Sequence, residues 1–370
     1  MTYIYAPLID WRAQKQERIF MRFLMACFLI ILWAGGTYGQ SLEYNFQTLD
    51  ISIPGHPGLV VFPTDINDRG RIVTNIRTED ELTQALIVKP NRRGTKFKNV
   101  VLFSCTGVPF ADTSANAINK RGHIVGGCVD APSAPSKEFG FVRYKDGRVV
   151  LLDFPGADGT QAFGISDKGG LNNQGLVVGQ FFGPLRDDHG GALSYRFHCF
   201  IWDGLTYKQI DFFRENTFVS CEGINSAGQV LMRYITVDLG NNTLEAGAVI
   251  YDNGTYQLLG LDFLHEGGPG QSFTDINELG QMPVQRSNTG DPDFDGLWFW
   301  DDGKFYRIAL PEGWRLVDVN GINNLGQFTG VYGIQTGVDP FHGNAPLFSF
   351  HGFIATPAKA VRFTKGTPTK

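Results

Sequence analysis

A short alternation of apolar and polar positions recurs along the chain: a hydrophobic residue, Asn, two variable residues, Gly, then an apolar or β-branched run. The copies read "DINDRGRIV" at Ile66, "AINKRGHIV" at Ile118, "GLNNQGLVV" at Leu171, "GINSAGQVL" at Ile224, "DINELGQMP" at Ile276 and "GINNLGQFT" at Ile322. Successive copies lie 52, 53, 53, 52 and 46 residues apart, the spacing of solenoids, propellers and arrays. Asn at the first position and Gly at the fourth suit a type I turn. The Asn side chain bonds the backbone ahead, and Gly takes the positive φ of a hairpin bulge. Each copy therefore predicts strand, tight turn, strand.

A second pattern lies between the copies: "FGFVRYKDGRVVLLDFP", "FHCFIWDGLTYKQIDFF", "AVIYDNGTYQLLGLDF" and "LWFWDDGKFYRIALP". Each sets an aromatic strand before a D-G or N-G turn and another alternating strand, a second hairpin. The first repeat carries a rougher version, "ALIVKPNRRGTKFKNVVLF". Two hairpins per ~52 residues make four strands, which is one propeller blade. The expectation is an all-β, six-bladed β-propeller over residues 40–357. The segment "YNFQTLDISIPG" reads like the fourth strand of a blade, and the last repeat lacks one. Residues 44–53 are therefore expected to close the ring and remove an exposed sheet edge. A linear stack of repeats is the alternative, but it would need polar capping repeats and would not explain complementary ends.

The rest of the composition agrees with this. Glycine (46) and phenylalanine (30) are frequent and charged residues make up only 19%, which suits short strands and turns and argues against a helical bundle. The net charge is −5, and near −7 without residues 1–39. With no basic stripe, nucleic acid and anionic membrane surfaces are not expected partners.

Residues 1–39 read as a secretory signal peptide: Lys15, Arg18 and Arg22, then "FLMACFLIILWA", then small residues up to a cleavage site near Gly39 or Gly36. Met21 is an alternative start, and an uncleaved anchor is the alternative fate. Residues 358–370 form a basic tail. The mature chain would be a secreted or periplasmic monomer that meets an unknown extracellular ligand and no membrane. Four cysteines remain: Cys105, Cys128, Cys199 and Cys221. Three connectivities are open, of which the local pairs Cys105–Cys128 and Cys199–Cys221 are preferred; four buried thiols are the alternative.

With "HGFIATP" at His351–Pro357, "FGFV" at Phe139–Val142 and the I-N-x-x-G-x-x-V-G copies, the chain resembles the HAF-repeat proteins, exported bacterial repeats. The resemblance spans residues 44–357 and implies an extracellular repeat without assigned chemistry. Only the last copy keeps both the His and the Phe of the naming strand.

Three places could carry chemistry. In "DPDFDGLWFWDD", Asp291, Asp293, Asp295 and Asp302 occupy first, third, fifth and twelfth positions of a calcium-type loop. Phe299 at the ninth position and an Asp at the twelfth weaken the match, and a solvated acidic loop is the alternative. Two long loops in repeats three and six each hold two histidines, His189 and His198, His342 and His351. If they converge at one channel mouth, Asp188, His189, Asp339 and His342 could bind metal or act as acid and base. His198 and His351 otherwise read as structural strand residues. Trp314, in "PEGW", is the expected exposed aromatic for a ligand, whereas Trp202, Trp298 and Trp300 read as blade packing. No nucleophile elbow, zinc-protease motif, phosphate loop or dinucleotide fingerprint is present. The expected function is a non-catalytic binding or scaffold propeller, with no certain cofactor beyond a calcium option. An extracellular hydrolase or lyase acting at the channel mouth is the alternative, and a purely structural envelope component is a third reading.

Overall fold

The computed structural model describes residues 41–49, 51, 60–77, 83–90, 97–105, 112–129, 137–186, 192–210, 217–238, 243–259, 270–287, 295–339 and 345–359. Strands β1 (Ser41–Leu42) and β2 (Tyr44–Thr48) come first. The first repeat supplies β3 (Phe62–Ile66), β4 (Ile72–Arg77), β5 (Thr83–Pro90) and β6 (Phe97–Phe103). The second supplies β7 (Asp112–Ile118), β8 (Ile124–Val129), β9 (Glu138–Arg143) and β10 (Val149–Leu152). The third has β11 (Gly159–Ile165), β12 (Val177–Arg186), β13 (Ala192–Trp202) and β14 (Tyr207–Ile210). Then follow β15 (Thr217–Ile224), β16 (Val230–Asp238), β17 (Thr243–Asp252) and β18 (Thr255–Leu258). The fifth repeat gives β19 (Gly270–Phe273), β20 (Met282–Ser287), β21 (Gly296–Asp301) and β22 (Lys304–Ile308). The sixth gives β23 (Arg315–Ile322), β24 (Phe328–Asp339) and β25 (Ala345–Pro357).

The arrangement is all-β and propeller-like. The strands pair into five sheets rather than six separate units. Repeats two and three share one eight-stranded sheet, joined through a single parallel pair, Gly159 opposite Glu138. Of the segment expected as one strand over 44–53, residues 44–48 form β2, and β1 lies just before it. β1 pairs in parallel with β22, whereas β2 pairs antiparallel with β25, from Tyr44 opposite Pro357 to Thr48 opposite Phe353. Just beyond β2, the Leu49 amide donates to the Gly352 carbonyl at 2.8 Å.

The core lies between successive repeats. Alternating side chains of each sheet pack on the next, as in the burial of Val219 and Cys221 on β15 against Val178 and Cys199. Trp298 and Trp300 are buried with Leu231 and Ile250 of the preceding repeat, so their role is packing, as is that of Trp202. One such cluster joins Ile354 of β25 to Ile66 and Ile72 of the first repeat. Each fully buried aliphatic or aromatic side chain contributes about 2 kcal/mol.

Both preferred disulfides form. Cys105–Cys128 ties the end of the first repeat to β8, and Cys199–Cys221 ties β13 to β15, with Cα separations of 6.5 and 5.9 Å. Such bonds form and persist in oxidising compartments. Among the described residues no helix is long and apolar enough to cross a membrane. The predicted signal segment lies outside the described residues.

Candidate functional site

The innermost strands β3, β7, β11, β15 and β23 end at Ile66, Ile118, Ile165, Ile224 and Ile322, all at most 9% exposed. The third turn therefore follows Ile165 and Ser166, not Leu171, which is 44% exposed. The copy at Leu171 is a short 3₁₀ turn inserted between the true turn and β12. In the other repeats the turn Asn holds two backbone amides on one oxygen. Asn67 Oδ1 accepts from Arg69 at 3.0 Å and Arg71 at 3.1 Å, and Asn323 Oδ1 accepts from Leu325 and Gln327, both at 3.0 Å. That leaves the amide nitrogen to reach outward. Asn67 Nδ2 donates to the Asn119 carbonyl at 2.9 Å, Asn119 to Ser166 at 3.1 Å, and Asn277 to Asn323 at 3.1 Å. Asn225 reaches the Asn277 carbonyl at 3.5 Å, and Asn323 donates back to the Asn67 carbonyl at 3.1 Å. Ser166 is too short to continue the chain of bonds. Its hydroxyl instead bonds its own turn, accepting from the Leu176 amide at 2.8 Å and donating to Lys168 at 2.6 Å.

One layer deeper, the inner strands carry a bulge just before the terminal Ile, seen as register shifts at Pro63/Asp65, Ala115/Ala117, Ala162/Gly164 and Cys221/Gly223. A bulge re-aims the residue that follows it. In the first repeat that residue is Asp65, and Asp275 holds the matching place before Ile276 in the fifth. Asp65 accepts from its own neighbour Ile66 at 2.6 Å and from Ile118 of the next repeat at 2.7 Å. Asp275 does the same with Ile276 at 2.8 Å and Ile322 at 3.1 Å. Glycine is required where they lie: a Cβ at Gly321 would strike the Asp65 carboxylate, and one at Gly223 would strike Asp275. Burial raises the Asp65 carboxyl well above the ordinary range, helped by the charge of Asp275, and raises Asp275 to about 7. Desolvation of the charged form outweighs the backbone donors at both.

The outer layer is also tied across repeats. The Lys120 ammonium meets Asp68 at 3.0 Å and its amide donates to Asp167 at 2.6 Å. Glu278 accepts from the Ser226 amide and hydroxyl, at 3.0 and 2.6 Å, and Asn324 donates to both Asp68 and Asp167 at 3.1 Å. The space left among these residues is about 40 Å³, room for water and not for a sugar or peptide. The polar groups here hold repeats together. Among the described residues no cluster of His, Cys, Asp and Glu has the form of a metal site.

The residues singled out in the sequence fare differently. Asp188, His189, His342, Asp291 and Asp293 lie outside the described residues. Asp295 and Asp302 are separated by β21, an extended run of six residues spanning about 20 Å. Asp302 sits at the tip of the β21–β22 hairpin with φ of 45°. Trp314 is not a free platform: it is half-buried and stacks flat on Tyr332 with ring centroids 3.3 Å apart, with Phe46 against it edge-on at 5.7 Å. Tyr332 in turn lies on His351, and Ser349 Oγ meets His351 Nε2 at 3.0 Å. The third repeat has the same stack, with Phe154 on Phe181 at 3.7 Å and Phe181 on His198 at 5.0 Å. Both histidines thus occupy equivalent strand positions, opposite Phe181 and Tyr332, inside aromatic packing. Asp339 ends β24 opposite Ala345.

Sequence reading missed a basic recess between the first two repeats. Arg71, Lys89, Arg143 and Lys145 line a cavity of about 110 Å³ with Ile87 and Val101. Lys145 also borders a groove of about 330 Å³ over the turn after β9, lined by His123, Tyr144, Asp146, Arg148 and Gln174. These cations are scattered over two repeats, and only the packing of β4 and β5 against the β7–β8 turn gathers them.

No family model matches the chain, and no curated protein matches it. Among solved structures it is similar to a protein of unknown function from Dyadobacter fermentans, at 13% identity over 84% of this chain and 99% of that one, TM-score 0.46. It is also similar to the β-propeller domain of the Trilobed protease from Pyrococcus furiosus, described as an open velcro topology, at 11% identity over 79% and 95%, TM-score 0.40. A third is an α-L-arabinofuranosidase from Podospora anserina in complex with cellotriose, at 8% identity over 87% and 98%, TM-score 0.39.

Proposed function

We propose that the chain is an exported, non-catalytic binding or scaffold propeller whose repeats form a ring fastened by residues 44–48. The return of the Asn323 amide to Asn67, the Ile354–Ile66 packing and the β2–β25 pairing support the ring. The resemblance to HAF repeats agrees with it. Export through residues 1–39 draws support from the two disulfides. The observation that carries the non-catalytic reading is the use made of the buried carboxylates. Asp65 and Asp275 accept backbone amides from two repeats each, and the space beside them is about 40 Å³. An active site needs titratable groups that a substrate can reach.

The test is to incubate the purified chain with a panel of neutral and acidic polysaccharides, following retention by affinity electrophoresis and product by reducing-end and 235 nm unsaturated-product assays. Retention without product is the expected result. Product formed by wild-type protein would replace this reading with a hydrolase or lyase.

A further inference from the structure

The basic recess contrasts with the chain around it, which carries 32 cations against 37 acids. Four cationic side chains line the recess and none of its lining residues is acidic. Among the described residues none of the four is held in an ion pair such as Lys120–Asp68; the carboxylate that acts on Arg143, Asp146, lies in the adjoining groove. The heads are nevertheless positioned. The Arg143 guanidinium lies 5.0 Å from the centre of the Phe103 ring, and its burial weakens its hold on its proton. Arg71 Nη1 lies so close over Gly122 that a Cβ there would sit 2.9 Å from it. Like charges gathered in a partly desolvated cleft repel one another, and a bound anion relieves that cost while the low-dielectric walls focus the field.

The shape narrows the ligand. The recess suits one oxyanion, whereas the adjoining groove past Lys145 suits the body of an extended chain. The aromatic in the groove is already covered: Arg148 lies 4.0 Å over Tyr144 and His123 meets it edge-on. A nucleic acid strand needs open aromatic faces for its bases or a longer row of phosphate contacts. We infer that this cleft binds an extended acidic polysaccharide, with one carboxylate or sulfate group in the recess and the sugar chain along the groove. The inference rests on the proposed binding function and names its ligand class.

The experiment titrates the full chain with polygalacturonate, heparin oligosaccharide and neutral dextran by calorimetry at low and moderate salt. The carboxylated and sulfated probes separate the two sources of anion. Wild-type protein should bind at least one acidic probe, weakening with salt, and not dextran. Lys89→Gln and Lys145→Gln should each weaken binding about tenfold, the scale of one hydrogen bond to a charged group. Lys208→Gln, the same charge change elsewhere, should leave binding unchanged, and melting temperatures should confirm that all variants fold. Acidic-probe affinity unchanged in the Lys89→Gln/Lys145→Gln double variant would overturn the inference. So would duplex DNA binding as tightly as the acidic glycans, or retention of dextran alone, which would leave the binding function standing. Turnover of a probe would strike the proposed function instead.

Discussion

Asn323 donates its side-chain amide to the backbone carbonyl of Asn67, 256 residues earlier, at 3.1 Å. The same side chain accepts from Leu325 and Gln327, so one residue shapes its own turn and joins the sixth repeat to the first. Asn323→Asp separates the two tasks: it keeps an acceptor for the turn and removes the donor. Stability should fall by about 2 kcal/mol or more, because the lost donor serves both the Asn67 carbonyl and, at 2.9 Å, Gln327 Oε1. Urea denaturation measures it, and an unchanged midpoint would deny the cross-repeat bond any weight.

Gly321 faces the Asp65 carboxylate without room for a methyl group, whereas a Cβ at Gly337 meets open space. Gly321→Ala should therefore cost about 3 kcal/mol or prevent folding, the scale of overpacking a core. Gly337→Ala should lie within about 0.5 kcal/mol of wild type. Thermal melting of the pair tests this; equal effects would remove the packing argument.

Asp275 holds its proton up to about 7 when folded, against 3.8 for the free group. Asp318, raised by burial to about 6, works in the same direction. A carboxyl that binds its proton more tightly folded than unfolded adds stability that is complete below pH 4 and is lost as pH rises through its folded value. The chain should accordingly be more stable at pH 5 than at pH 8. Asp275→Asn should shrink that difference, read from denaturant midpoints at the two pH values. A midpoint that rises from pH 5 to pH 8 would contradict the direction of these shifts.

The disulfides close loops with sequence separations of 23 and 22 residues. Each should contribute about 3 kcal/mol by constraining the unfolded chain. Replacing Cys199 and Cys221 together by Ser should lower the melting temperature by several degrees, and reductant should have a smaller further effect on that variant than on wild type. Melting curves with and without reductant check both statements.

The turn chemistry was legible because Asn and Gly have few substitutes at those positions, and disulfide pairing because local cysteines matched neighbouring repeats. The third turn was misplaced since "LNNQG" fits the template better than "ISDKG". Ser166 nevertheless holds the turn, because a hydroxyl can accept the Leu176 amide. The acidic loop was legible only in part. Spacing of Asp residues carries no sign that "GLWFWD" would extend as β21 and move Asp302 to a hairpin tip. Trp314 read as exposed because a connector gives no hint of Tyr332, which waits to stack on it from β24. The basic recess was illegible altogether, since Arg71 and Lys145 become neighbours only through packing between repeats.

The pairing of β2 with β25 also bears on the order of events during biosynthesis. Residues 44–48 leave the ribosome long before their hydrogen-bonding partners at 353–357. Until then β2 lacks its partner strand, and contacts this distant in sequence slow folding. The β2–β25 pair is therefore completed only after the whole stretch between its two strands has been made.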